Sequence, residues 1–290
     1  SKNTALGTAA GQLFQNASKT VAVGYYTLAN ALTSTDIDGS VAVGAYSQAE
    51  NKTGQANVSI GKSALQADVN GDYSVAVGHE ALKVQNGTNG EAANTAIGYK
   101  AGNSITTGKK NIFIGRSAGA STTDVDFAIG IGWAALNGVL TSAADGIVCI
   151  GNSSGNNVTT AARIVGVGDG TFQRAASQQS DSVAIGFNAL NGTAAGTCVK
   201  NVAIGVYSMN VNQTHVTNNT GVGYQSLRYL AGSTSNYNSA FGADAGMSIT
   251  AGSYNTAIGS GVMGESNSNA ITGDYNTGVG NLALYNAEGT

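Results

Sequence analysis

Proline is absent from the 290 residues, where an average chain of this length carries about 14. Charge is scarce as well: 10% of residues are Asp, Glu, Lys or Arg, against about 25% in ordinary globular proteins. That scarcity excludes a coiled coil, which needs Lys, Glu and Arg to dress its helices. The absence of Pro, with no three-residue glycine period, excludes collagen. Thirteen basic residues against sixteen acidic ones leave no cationic footprint for nucleic acid or an anionic membrane. No run of 18 apolar residues is present, so no transmembrane helix is expected. Two histidines and two cysteines leave little for catalysis or metal binding. Glycine, by contrast, is abundant: 42 residues, about twice the ordinary share. Hydrophobic residues reach 42%, which excludes a disordered chain.

The glycines mark a repeat. Asn-Thr/Val-Ala-Ile/Val-Gly recurs 16 times, its final glycines running from Gly7, Gly24 and Gly44 to Gly259 and Gly280 at spacings of 17–21 residues. The residue before each glycine is apolar in every copy, and the third before it is β-branched in all but Ser239. Positions two apart on a strand share a face, so these two columns are expected to point into the coil. The column between them is Ala, Gly, Ser or Cys in all copies but Phe113. Such small residues imply a close neighbour, either the opposite wall of the same coil or another chain. A second strand is expected after the glycine, where Ala or Ser (Ala64, Ala81, Ala101) precedes Leu or Gly (Leu65, Leu82, Gly102). Variable Asn/Gly/Ser/Thr/Asp loops follow, as expected for insertions at one edge of a solenoid. An Asn column four residues before the glycine (Asn94, Asn111, Asn201, Asn219) suits stacked turns. The fold class is therefore all-β: a repetitive solenoid or β-roll of about 16 coils, one array over residues 1–290. At about 4.8 Å per coil it would form a rod of roughly 75 Å. Each coil has a thin core, so packing of chain against chain is expected.

Candidate chemistry is sparse. His79 and His215 lie far apart, and no His/Cys/Asp/Glu cluster has zinc spacing. Cys149 and Cys198 are expected to be free thiols. Gly130-Ile131-Gly132 and Gly166-Val167-Gly168-Asp169-Gly170 resemble pieces of a dinucleotide loop, but the repeat accounts for both. Asp36-Ile37-Asp38-Gly39 and Asp68-Val69-Asn70-Gly71-Asp72 have partial calcium-loop character without a distal Glu; solvated turns account for them. Sequons at Asn51, Asn86, Asn157 and Asn212 are what so Asn-, Ser- and Thr-rich a chain produces by chance. No cofactor or metal is expected. Aromatics recur in two columns: Tyr73, Tyr237, Tyr254 and Tyr275 five residues before the glycine, and Tyr25, Tyr99, Trp133, Phe187 and Tyr224 one residue after it. They either cover coil corners or, in the second column, form a glycan platform.

Ser74-Val75-Ala76-Val77-Gly78-His79-Glu80-Ala81 and Ser40-Val41-Ala42-Val43-Gly44-Ala45-Tyr46-Ser47 resemble the head repeat of trimeric autotransporter adhesins. Asn94 to Ser121, reading NTAIGYKAGNSITTGKKNIFIGRSAGAS, is more similar to the repeat of phage and large-virus tail-fibre proteins. The resemblance implies a parallel β-roll in a homotrimer with the chains side by side, small-residue columns such as those of Ala76 and Ala81 near the chain contacts, and attachment to a cell-surface glycan or protein receptor. A structural fibre of a virion is the expected function. A bacterial adhesin head or extracellular filament subunit is the alternative, and a polysaccharide depolymerase a remote one. An ice-binding solenoid would need an outward Thr ladder, whereas Thr is expected to face inward here. The first residues, Ser-Lys-Asn-Thr, and complete repeat strands at both ends lead to the expectation that the chain continues or stacks end to end.

Overall fold

The computed structural model describes residues 2–14, 17–30, 37–87, 90–140, 144–174, 179–192, 198–210, 215–231, 235–264 and 270–285. The chain divides into two compact units, Ser1–Asp145 and Gly146–Thr290. In the first, three-residue strands form at Thr4–Leu6, Val21–Val23, Val41–Val43, Val58–Ile60, Val75–Val77, Thr95–Ile97, Ile112–Ile114 and Ile129–Ile131. In the second they form at Val148–Ile150, Val165–Val167, Val183–Ile185, Val202–Ile204, Thr220–Val222, Ser239–Phe241, Thr256–Ile258 and Thr277–Val279. Within a unit each strand pairs in parallel with its successor and without slippage: Thr95 faces Ile112, Ala96 faces Phe113, Ile97 faces Ile114. The all-β solenoid read from the repeat is the fold, and no α-helix occurs among the described residues. A minor parallel pair, Gly71–Asp72 with Gly90–Glu91, forms in the loop region of the first unit.

The inside and outside of the coil are the reverse of the expectation. The small column is the buried one: Ala22, Ala42, Ala76, Ala96, Ala184 and Ala257 are fully enclosed. The β-branched and aliphatic columns face outward, with Ile97 40% and Ile258 43% exposed. The reason is the thinness of the coil. A Cβ added at Gly130 would already lie 3.4 Å from Leu136 Cβ across the interior. Only a small side chain fits opposite a Leu at that spacing. The outward Val, Ile and Thr satisfy strand preference without entering the core. Apolar character alone does not assign a side, since much of any folded surface is apolar. Ala81 and Ala101 are also fully buried, so both small columns face the interior of their own coil. The Thr residues at Thr95, Thr220 and Thr256 face outward with their column, yet aliphatic residues hold most of its rungs.

The second strand is absent. After the glycine the chain turns, with positive φ at alternate residues: Glu80 (58°) and Leu82 (47°), Lys100 (56°) and Gly102 (56°). The turn points Leu28, Leu65, Leu82, Leu136, Leu190 and Leu227 into the core, each fully buried. A non-glycine residue in this left-handed region costs about 1–2 kcal/mol. Burying a Leu contributes about 1.5–3 kcal/mol, which offsets the cost of its own left-handed backbone. The repeat glycine is needed for a different reason. Gly98 has φ +134°, and a Cβ there would lie 2.6 Å from the carbonyl oxygen of Gly115 on the next rung. The loop side of the coil closes the core with Ile105, Val125, Val158 and Ile249, all fully buried.

The Asn column is a hydrogen-bonded ladder, as its spacing suggested. Asn111 N–H donates to Asn94 Oδ1 (2.9 Å), Asn111 Nδ2 donates to Val125 O (2.7 Å), and Asn111 Oδ1 accepts from Ala128 N–H (2.8 Å). Asn219, Asn238, Asn255 and Asn276 repeat the pattern in the second unit. One side chain with both a donor and an acceptor satisfies the loop carbonyl of its own coil and the strand amide of the next.

Candidate binding edge

The turn after the glycine forms one exposed edge, and all five aromatics singled out from the sequence stand on it. Tyr25, Tyr99, Trp133, Phe187 and Tyr224 are between 42% and 53% exposed. Backbone bonds from rung to rung hold the column: Glu80 N–H to Lys62 O, Lys100 N–H to His79 O, Ser117 N–H to Tyr99 O, Ala134 N–H to Arg116 O, all 2.8–2.9 Å. Lys62, His79, Tyr99, Arg116 and Trp133 therefore occupy five successive rungs of the first unit. In the second unit the same bonding places Phe187, Val206 and Tyr224 on successive rungs.

The five aromatics do not form one platform. Tyr25 packs edge-on against Tyr46 (5.5 Å) and tilted against Tyr26. Tyr99 is stacked on His79, with centroids 5.5 Å apart at 12°, and carries Lys100 and Arg116 at 5.4 and 5.7 Å from its ring centre. Phe187 meets Tyr207 edge-on at 5.3 Å. Among the described residues, Trp133 and Tyr224 have no ring or cation partner; the Tyr224 hydroxyl accepts from Gln225 Nε2 (2.7 Å). The other aromatic column also stacks along the ladder. Tyr237, Tyr254 and Tyr275 lie parallel, 4.9 Å apart at 4–7°, with left-handed backbones at φ 59–61°.

Two features of this edge were missed from the sequence. One is the cations interleaved with the aromatics. Glu80 accepts from Lys83 (2.8 Å) and lies 3.6 Å from Lys100; these partners, Lys83 first, hold its carboxyl below the usual range. Lys62 has no hydrogen-bond or ion-pair partner for its ammonium among the described residues. Reading the aromatic column residue by residue would have disclosed the row. The other feature is a groove of about 400 Å³ in the second unit, between Tyr224 on one side and Leu282 and Tyr285 on the other. Gly261 and Gly264 line it at the positions where the preceding rung has Asp244 and Met247. Among the described residues its lining contains a single carboxylate, Asp244, with Ser260 and Gln225 as further polar groups.

The remaining candidates are structural. Asp68 is buried, its carboxylate accepting from Gly71 N–H (3.0 Å), Gly87 N–H (3.3 Å) and Gln85 Nε2 (3.0 Å); burial pushes its pKa up to about 6. Asp38 binds the Ser18 amide and hydroxyl (2.7 and 2.6 Å), while Asp36 falls outside the described residues. No group of three metal-ligating side chains occurs among the described residues. Cys149 and Cys198 are free and buried, and burial pushes Cys149 up to about 12. His79 and His215 are both exposed. Asn51 is buried and binds Gly54 through both side-chain atoms, so its sequon is closed to glycosylation; Asn86 and Asn157 are exposed, and Asn212 lies outside the described residues. Gly130 and Gly166 are strand residues, which disposes of the dinucleotide-loop likeness. Comparison of the chain with models of known families and with curated proteins finds no match.

Proposed function

We propose that this chain is a structural fibre segment that assembles with identical copies side by side and attaches to a cell surface, as in a viral tail fibre. The observation that carries this reading is the outward face of the strands. In each unit two parallel rows, Val, Ile and Thr except at Leu6, Ser239 and Phe241, run over eight rungs, roughly 34 Å at 4.8 Å per rung. Ile60, Ile97, Ile185 and Ile258 remain 38–43% exposed along them. The row directly before the glycine is apolar on every rung, and an apolar row of that length favours burial against a like surface; a parallel copy of the chain presents the matching period. Three chains per fibre is what the repeat's resemblance implies. The exposed turn edge, with its aromatics and groove, would then face a surface glycan or protein receptor.

A bacterial adhesin head is the second reading, favoured by the Ser-Val-Ala-Val-Gly rungs at Ser40–Gly44 and Ser74–Gly78. It shares the same assembly and differs in where the fibre is anchored. A depolymerase is less well supported, because hydrolysis of a glycosidic bond ordinarily takes two carboxylates and, among the described residues, the groove supplies Asp244. Sedimentation of the purified protein tests the assembly. The expected result is a trimer, converted to a folded monomer by Ile97→Lys with Ile114→Lys, since both side chains point away from the core. A wild-type monomer at micromolar concentration would overturn the reading.

A further inference from the structure

The cations of the chain are unevenly placed. Between residues 52 and 116 stand seven Lys and Arg against four Asp and Glu, a local excess of +3 in a chain whose net charge is −3. One of those four acids, Asp68, is buried away from the surface. Lys62, Lys83, Lys100 and Arg116 all lie on the turn edge, and Glu80 is the one carboxylate that answers them there.

We infer that the row Lys62–His79–Tyr99–Arg116–Trp133 is a binding track for an acidic polysaccharide, a polymer of sugar rings bearing carboxylates at intervals. This rests on the attachment reading above and names the class of ligand for one part of that edge. The geometry supports it in three ways. First, the five side chains occupy successive rungs and all are exposed, so at about 4.8 Å per rung they span roughly 19 Å in a straight line. A linear polymer can engage such a row at several points, which a single small anion cannot. Second, the central groups are already ordered. The Arg116 guanidinium lies over one ring, Tyr99, that is itself stacked on His79. A guanidinium held over a ring is already placed for a bond to a carboxylate, and less side-chain freedom is lost on binding. Third, Trp133 ends the row with its ring unoccupied and 53% exposed. A flat aromatic face suits the C–H face of a sugar and gives the track a contact that a bare polyanion cannot use.

The Tyr224 groove is the contrasting surface. Among the described residues its charged group is the Asp244 carboxylate, which repels an acidic sugar and accepts hydrogen bonds from the hydroxyls of a neutral one. The two surfaces can therefore be separated by ligand charge.

The test is equilibrium binding of the full chain, in its native assembly, to three immobilised polymers. Sodium hyaluronate has alternating carboxylates on a sugar backbone, dextran is neutral, and polyphosphate has charge without sugar. Hyaluronate is expected to bind most tightly and to weaken with salt, as interactions between exposed charges do. Arg116→Ala and Trp133→Ala are each expected to reduce hyaluronate affinity about tenfold, the loss typical when an anchoring side chain is truncated. Trp133→Ala should leave the weaker polyphosphate binding unchanged. Both side chains are exposed, and unchanged melting would show that the coil is intact. Polyphosphate binding as tight as hyaluronate binding and indifferent to Trp133→Ala would overturn the track, as would hyaluronate binding that neither variant alters. Dextran binding abolished by Tyr224→Ala, without any hyaluronate binding, would overturn the track and leave the attachment reading standing. Absence of binding to all three polymers, together with failure to adhere to any glycan-bearing cell, would overturn both.

Discussion

A Cβ added at Gly166 would lie 3.0 Å from Cδ2 of Phe172, the largest side chain facing it across the coil. The same exchange of volume occurs around Phe113, the one large residue of the small column, which sits against Gly102 and Gly119 where other rungs have Leu. The interior is two side chains deep, so the sum of the facing pair is what the coil constrains. Gly166→Ala is therefore expected to destabilise the second unit by about 1–3 kcal/mol through overpacking. Adding Phe172→Leu should recover most of that loss, because Ala22, Thr27 and Leu28 already pack as such a trio and are fully buried. A double-mutant cycle from urea melts checks this. Additive costs would mean that the two residues do not share space.

Asn111 links three coils' worth of backbone through one amide. Replacing it by Ala strands the carbonyl of Val125 and the amide of Ala128 in a buried position. Each lost partner costs about 1–3 kcal/mol, so Asn111→Ala is expected to be among the most damaging single changes in the first unit. Asn103, half-buried and donating to Glu80 O (3.0 Å), is the control. Asn103→Ala should cost less than about 1 kcal/mol. Similar midpoints for the two variants would remove the ladder from the account of stability.

The period and the stacking of the columns were legible because each imposes one requirement on every rung, and the structure supplies the reason for the glycine. Gly98 must be Gly for its φ and its contact with Gly115, and so must its equivalents. Sidedness was misread because two signals conflict. Val75 and Val77 look like core, whereas Ala76 reads equally as facing the opposite wall of its own coil or another chain; the thin coil buries the Ala against its own wall and turns the Val residues outward. The second strand was misread because Leu82 sits in a left-handed turn that no local propensity favours; only packing against the opposite wall makes it tolerable. On the edge, Tyr99 and Trp133 were found by their size. Lys62 and Arg116 were passed over because a cation in an exposed turn is ordinarily unremarkable, and His79 was weighed only for catalysis or metal binding; it is the Arg116 guanidinium over the Tyr99 ring that gives the row its order.

The two cysteines give a readout of folding. Cys149 is fully enclosed, and its thiol is pushed up to about 12 by burial, with Ser154 and Gly166 partly opposing. Cys198 is raised as well, again by burial first. The nucleophile in thiol chemistry is the thiolate. Neither cysteine should react with an aromatic disulfide reagent at pH 8 in the native protein, and both should react on unfolding in guanidinium. Rapid labelling of Cys149 without denaturant would contradict its place in the small column.

Asp68 sets a pH dependence whose sign is opposite to the usual one for carboxylates. Its neighbour one coil earlier, Asn51, closes the same kind of loop with a neutral side chain by accepting from Gly54 N–H. Asp68 does so with a carboxylate that is 1% exposed, and burial, opposed by the donors Gly71, Gly87 and Gln85, lifts it from 3.8 to about 6. The nearby Asp72 carboxylate adds to the rise. A raised acid binds its proton more tightly in the folded chain than in the unfolded one. Between about pH 4 and pH 6 the folded state therefore holds the extra proton, and stability falls as pH rises through that window. Above it the loss levels off at an amount on the order of 2–3 kcal/mol for this group. Below about pH 4 the trend reverses, because Asp38, Glu80 and Asp181 are held below their ordinary range by Ser18, Lys83 and Arg163 and lose those interactions on protonation. The first unit should accordingly melt at a higher temperature at pH 4.5 than at pH 7.5. In Asp68→Asn that difference should disappear, while stability at pH 7.5 changes little: the desolvated charge is gone, but the new amide meets Gln85 Nε2, a donor, in place of an acceptor for it. Thermal melts of both proteins at half-unit pH steps decide the matter. A wild-type midpoint that rises steadily from pH 4.5 to 7.5 would show that Asp68 is ionised without cost in the coil.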